Sequence, residues 1–180
     1  SELANHEPGI NERLAGGLHW LESWTCSNPY DLVIQYFDLF QKEGGLFVKD
    51  KITSLNRDHE GWRVKLGKDE LFADHVVVAL GPWSFQFIRD LGYKAHMVAK
   101  RGYHVCLRTE KLPKHPLLDF DHSCVFSPMD DGLRITTGAE FSSSDAPISM
   151  VQIDRAVSAA KVLLNIAGSV ESEPWVGTRP

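Results

Sequence analysis

Three glycine-bordered segments carry side chains able to bind or orient a small reactive molecule: Ala79-Leu80-Gly81-Pro82-Trp83-Ser84, Lys100-Arg101-Gly102-Tyr103 and Gly177-Thr178-Arg179-Pro180. In the first, Gly81 allows a close backbone approach to a nucleotide cofactor, with the ring of Trp83 beside it; an ordinary turn ending a strand is the other reading. In the second, Lys100 and Arg101 can hold a carboxylate while Tyr103 closes over a small substrate; a solvated pair of cations is the alternative. In the third, Arg179 offers a planar fork that matches a carboxylate, against the reading of an Arg on the surface.

Other chemistry finds little support. The 180 residues contain no GxSxG elbow, no Walker loop and no GxGxxG. Eight histidines show none of the HxH, HExxH or HxxxH spacings that put two ligands on one face, so no metal site is expected. Cys26, Cys106 and Cys124 are widely spaced and odd in number, which reads as reduced, mostly buried thiols. A formal charge of −5 without a basic run makes a nucleic-acid or anionic-membrane partner unexpected. The apolar run Val76–Gly81 is far short of the roughly 20 residues needed to span a bilayer, and no basic-then-apolar leader opens the sequence. A soluble, cytoplasmic protein is therefore expected.

The elements that must position these segments fall into an α+β pattern. Asn28-Pro29 followed by Asp31 predicts a helix start. Leu32, Val33, Tyr36, Phe37 and Phe40 form its apolar stripe, and Gly44-Gly45 ends it. Residues Leu46–Lys49, Lys51–Asn56 and Trp62–Leu66 read as a small antiparallel sheet. The continuous run Val76–Leu80 reads as a strand buried on both faces, as in a parallel sheet, with ligands expected at its C-terminal end. Ser84 caps a short helix over Phe85–Leu91, stopped by Gly92. A second β-rich region follows, with strands over Met97–Leu107, Ser123–Ser127 and Leu133–Phe141, the last two joined as a hairpin. Ile153, Ala156, Val157, Ala160, Leu163, Leu164 and Ala167 then predict a long amphipathic helix ending at Gly168. Residues Glu173–Pro180 begin like a strand or loop.

Taken in order, these pieces resemble the FAD-dependent D-amino-acid oxidase/dehydrogenase superfamily, most nearly its D-amino-acid dehydrogenase branch. Ala73 to Ser84 is similar to the family stretch A-D-x-V-V-x-A-x-G-x-W-S that lines the flavin site. Lys100-Arg101-Gly102-Tyr103 resembles the K-G-Y or R-G-Q segment entering the substrate sheet, and Gly177-Thr178-Arg179-Pro180 resembles the start of G-x-R-P-x-T-x-D-G-x-P. Gly16-Gly17-Leu18-His19 looks like a strand of the cofactor domain, and Lys51–Leu55 like the strand beside the adenine.

The resemblance implies a partial FAD-binding domain over 1–95 with 175–180, and an antiparallel substrate-binding domain over 96–174. It implies FAD as cofactor in the intact parent, with Ile52, Ala79, Gly81 and Trp83 toward it and Arg179, Tyr103 and Lys100 toward the substrate. The implied reaction is oxidation of a D-amino acid or related amine by hydride transfer from Cα to flavin N5, with oxygen or a quinone as electron acceptor; no general base is assignable. Peripheral attachment of the parent to the inner membrane is an alternative to a wholly cytoplasmic location. Because the GxGxxG unit that holds the pyrophosphate is absent, the chain is expected to be a fragment that does not retain FAD and that dimerises through the exposed edge of the 76–80 strand. Two other functions stay open: a non-catalytic α+β module that binds a small carboxylate, and an FAD-dependent 2-hydroxy-acid dehydrogenase.

Overall fold

The computed structural model describes residues 2–11, 14–94, 96–109, 111–170 and 173–180. The chain divides into two compact units, one of residues 1–33 with 100–178 and one of 34–99 with 179–180. The expected domain boundary at Ala95 lies outside the described residues, and residues 1–33 group with the later part of the chain instead of with 34–95. One cause is Glu7, which follows the short helix α1 (Glu2–His6): its buried carboxylate accepts the backbone N–H of Lys114 at 3.0 Å and of His115 at 3.3 Å.

The first unit is built on a six-stranded sheet. Strands β4 (Lys100–Arg108), β5 (Leu117–Asp119), β6 (Cys124–Met129), β7 (Gly132–Thr137) and β8 (Ser169–Val170) lie in the order β5-β6-β7-β4-β8, and β9 (Trp175–Arg179) also pairs with β4. The hairpin β6–β7 forms as the sequence predicts, closing on Asp130-Asp131 with Met129 opposite Gly132. Strict alternation along β4 turns Arg101, Tyr103, Val105 and Leu107 to one face. Against that face packs α4 (Met150–Leu164), through Ile153, Ala156, Ala160 and Leu163. The helix is capped at Asn165, three residues before the expected Gly168, because Asn165 takes the left-handed conformation at φ 48° and its N–H returns to the carbonyls of Lys161 and Val162.

In the second unit, β1 (Ile52–Asp58), β2 (Gly61–Leu66) and β3 (Glu70–Ala73) form an antiparallel meander. It matches the expected small sheet with two differences: Leu46–Lys49 is irregular, and Glu70–Ala73 supplies the third strand. Helix α2 (Pro29–Lys42) begins as predicted, Asn28 Oδ1 accepting the Asp31 N–H at 3.2 Å, and terminates with the Gly45 N–H donating to the Phe40 carbonyl at 2.9 Å. None of its residues is buried, so its apolar stripe is left open.

The expected strand at Val76–Leu80 is corrected here. The run is irregular, joins no ladder among the described residues, and leaves Val77 88% exposed. A parallel strand exists only through hydrogen-bonded neighbours, and no described segment pairs with this run. Gly16–His19, likened to a family strand, is also irregular. Beyond Leu80 a 3-10 turn (Gly81–Trp83) leads into α3 (Ser84–Asp90), which Gly92 ends with its N–H on the Arg89 carbonyl at 2.9 Å.

Candidate functional site

Of the residues expected near the cofactor, all four fall in the second unit. Ile52 lines a small apolar hollow of about 50 Å³ together with Leu55, Val64, Val76, Val78 and Phe87. Ala79, Gly81 and Trp83 lie at the open end of the 76–80 run. The Ser84 hydroxyl accepts the Leu80 N–H at 3.0 Å and fixes the bend. Gly81 turns there at φ +56°, and a Cβ placed on it would meet no atom within 4 Å, so both its conformation and its clearance suit a ligand drawn up to the backbone. The Trp83 ring beside it is 59% exposed.

As a complete FAD site these residues do not fit. Ligand pockets run to about 300–1,000 Å³, well above this hollow, and the 180 residues offer no glycine-rich strand-turn-helix to receive a pyrophosphate. What they form is one open edge: a left-handed glycine, an exposed indole and an irregular backbone without ladder partners among the described residues.

The residues expected to meet the substrate are divided by the pleat of β4. Lys100 lies on the face away from α4, half-buried, whereas Arg101 and Tyr103 point into the core. The picture of Lys100 and Arg101 jointly holding a carboxylate under Tyr103 is therefore corrected: neighbours in a strand face opposite ways. The Arg101 guanidinium is buried and donates to the carbonyls of Ala146 at 2.6 Å and Ser143 at 3.1 Å, tying down the segment ahead of α4. Its Cζ lies 5.6 Å from the centroid of the Tyr103 ring, whose hydroxyl donates to the Glu140 carboxylate and accepts the Ser149 N–H at 3.4 Å. Burial, followed by the hydrogen bond to Glu140, raises the Tyr103 pKa, so it is a neutral donor. Arg179 is exposed at the end of β9 and belongs to the second unit.

On the open face of the sheet the structure gathers residues that the motif reading passed over. His104 and Cys106 follow Lys100 and Gly102 along β4, and register places Thr136 opposite His104 and Arg134 opposite Cys106. Across β6, Ser127 also lies opposite Arg134. The His104 ring stacks on Trp175 of β9 with centroids 4.7 Å apart. Burial, reinforced by the Arg134 charge, lowers the His104 pKa and keeps the imidazole neutral at pH 7. The Cys106 thiol, 3.6 Å from Asp131, is raised chiefly by burial. Period-two alternation in Lys100-Arg101-Gly102-Tyr103-His104-Val105-Cys106 was the signal that could have found this face.

The family model described as FAD dependent oxidoreductase (DAO) matches residues 1–180. D-amino acid dehydrogenase of Vibrio cholerae serotype O1 is 27% identical over 191 residues, covering 100% of this chain and 45% of that protein. Glycine oxidase of Bacillus subtilis (strain 168) is 26% identical over 183 residues, covering 99% of this chain and 49% of its own length. The chain thus spans about half the length of these curated relatives. Among solved structures, iminodiacetate oxidase from Chelativorans sp. BNC1 superposes with a TM-score of 0.66 at 18% identity, over 83% of this chain and 42% of that one. L-proline dehydrogenase from P. horikoshii does so with 0.65 at 14% identity, over 81% and 42%. The likeness in fold agrees with the α+β architecture, and the family match leaves no part of the sequence uncovered: this chain belongs to the FAD dependent oxidoreductase (DAO) family.

Proposed function

We propose that the chain is part of an FAD-dependent enzyme that oxidises a D-amino acid or a related amine. The observation that carries this reading is the family match over residues 1–180, with D-amino acid dehydrogenase and glycine oxidase as relatives along the whole chain. In its finer form, hydride leaves the amine-bearing Cα for flavin N5, and oxygen or a quinone reoxidises the flavin. The Gly81 turn, with Ile52, Ala79 and Trp83, contributes to one edge of the cofactor; the antiparallel region 96–174 serves as the substrate side. Arg179 is the partner for the substrate carboxylate, and Lys100 adds positive charge on the open face of the sheet. Tyr103 borders the substrate site from beneath, holding β4 against α4 instead of touching the ligand. The 180 residues alone do not retain FAD, and the unpaired edge at Val76–Leu80 makes them associate as dimers.

The test is the visible absorption spectrum of the protein from its complete reading frame, before and after anaerobic addition of a panel of D-amino acids, glycine and 2-hydroxy acids. Flavin bands bleached by a D-amino acid or glycine establish the reading. Bleaching by a hydroxy acid alone moves the chain to the 2-hydroxy-acid class. A colourless protein that fails to take up added FAD overturns the redox reading in favour of a carboxylate-binding module.

A further inference from the structure

The open face of the six-stranded sheet holds a fixed cation with a spare donor. Arg134 is flanked in register by Cys106 on β4 and Ser127 on β6, and its Nε is buried without a hydrogen-bond partner. A buried N–H without an acceptor is unfavourable, a penalty that an incoming acceptor would remove. The surroundings select an anion. His104, beside Arg134 and stacked on Trp175, is neutral at pH 7 and has a ring N–H to give, and Thr136 opposite it carries a hydroxyl. The acid of the cluster, Asp131, faces the Cys106 sulfur at 3.6 Å. The Trp175 indole, 57% exposed, supplies an apolar wall for the carbon chain that carries the anion.

We infer that Arg134, with His104 and Thr136, forms a carboxylate subsite on the open face of the sheet, which gives the enzyme a preference for amino acids bearing an acidic side chain. The inference rests on the proposed function to the extent that the α-carboxylate of the amino-acid substrate is held by other residues of the enzyme and leaves Arg134 for a second, distal one. A guanidinium fork takes a carboxylate through two parallel hydrogen bonds, whereas the isosteric amide offers it only one acceptor oxygen. Discrimination between D-glutamate and D-glutamine is therefore the property to measure.

The experiment is an NMR titration of the full 180-residue chain with D-glutamate, D-glutamine, D-alanine and glutarate, following the Trp175 indole N–H and the His104 ring. D-Glutamate and glutarate are expected to move both signals with at least tenfold higher affinity than D-glutamine or D-alanine. Arg134→Gln should abolish that preference, and Arg134→Lys should keep part of it. Equal affinity for D-glutamate and D-glutamine in the unaltered chain overturns the subsite, whether or not Arg134→Gln folds; so does a preference that survives in a folded Arg134→Gln. Failure of the enzymatic reading is separate. Glutarate binding that depends on Arg134, in a protein whose flavin no D-amino acid bleaches, keeps the subsite and removes the proposed reaction. Flavin bleaching by D-amino acids without any preference for D-glutamate does the reverse.

Discussion

Arg101 and Tyr103 show how a residue that suits a ligand can instead be used by the fold. Both have the chemistry to hold a carboxylate, yet the pleat of β4 sends them to the core, where Arg101 satisfies the carbonyls of Ser143 and Ala146 and Tyr103 satisfies Glu140 and Ser149. Arg101→Met would leave those carbonyls without donors in a buried setting, and we expect a loss of about 2–4 kcal/mol in a urea denaturation series. Tyr103→Phe should lose about 1–2 kcal/mol by the same measurement, through the unpaired Glu140 carboxylate. His104 gives a prediction with a definite sign. Burial lowers its pKa in the folded chain below the value of about 6.5 that it has unfolded, so below that pH the unfolded chain binds more protons. Stability should be fully present above pH 6.5 and fall as the pH drops through the folded value; His104→Gln should flatten the slope over that window in thermal unfolding. Cys124 makes the opposite edge: its thiol is pushed up to about 12 by burial, from the usual value of 9.0, so stability declines as pH rises between those values.

At the scale of elements, glycine positions decide how closely strands approach. Gly132 opens β7 at φ +131°, and a Cβ there would come within 2.8 Å of the Leu107 carbonyl oxygen on β4. Gly132→Ala therefore meets backbone strain and a clash with backbone at once, and we expect it to destabilise the first unit by about 1–3 kcal/mol, read from the shift of its urea midpoint. The periodic elements were legible in the sequence: α2, the β6–β7 hairpin, the β1–β2 pair and α4 each carry their own pattern and end signals. The 76–80 run was not, because a continuous apolar run records only that a strand is to be covered, and the covering belongs to other parts of a chain. Asn165 escaped for a related reason. Asn takes the left-handed cap less often than Gly, so the sequence pointed past it to Gly168.

For the whole molecule, the chain spans about half the length of the relatives it matches, and the hollow beside Ile52 in its second unit measures only about 50 Å³. When the 180-residue chain is mixed with excess FAD and passed through a desalting column, we expect the flavin absorbance to elute with the small molecules. Retention of stoichiometric flavin would mean that the Gly81 turn and its neighbours hold far more of the cofactor than their 50 Å³ hollow allows. The sequence by itself determined the α+β class, the family and the order of the segments Ala73–Ser84, Lys100–Tyr103 and Gly177–Pro180, because these depend on local pattern and on short motifs read along the chain. Only the tertiary structure decided which of those side chains reach an open surface. Strand pairing and the packing of α4 choose the face, and that choice placed Arg101 and Tyr103 in the core and brought His104, Arg134 and Trp175 together from three strands.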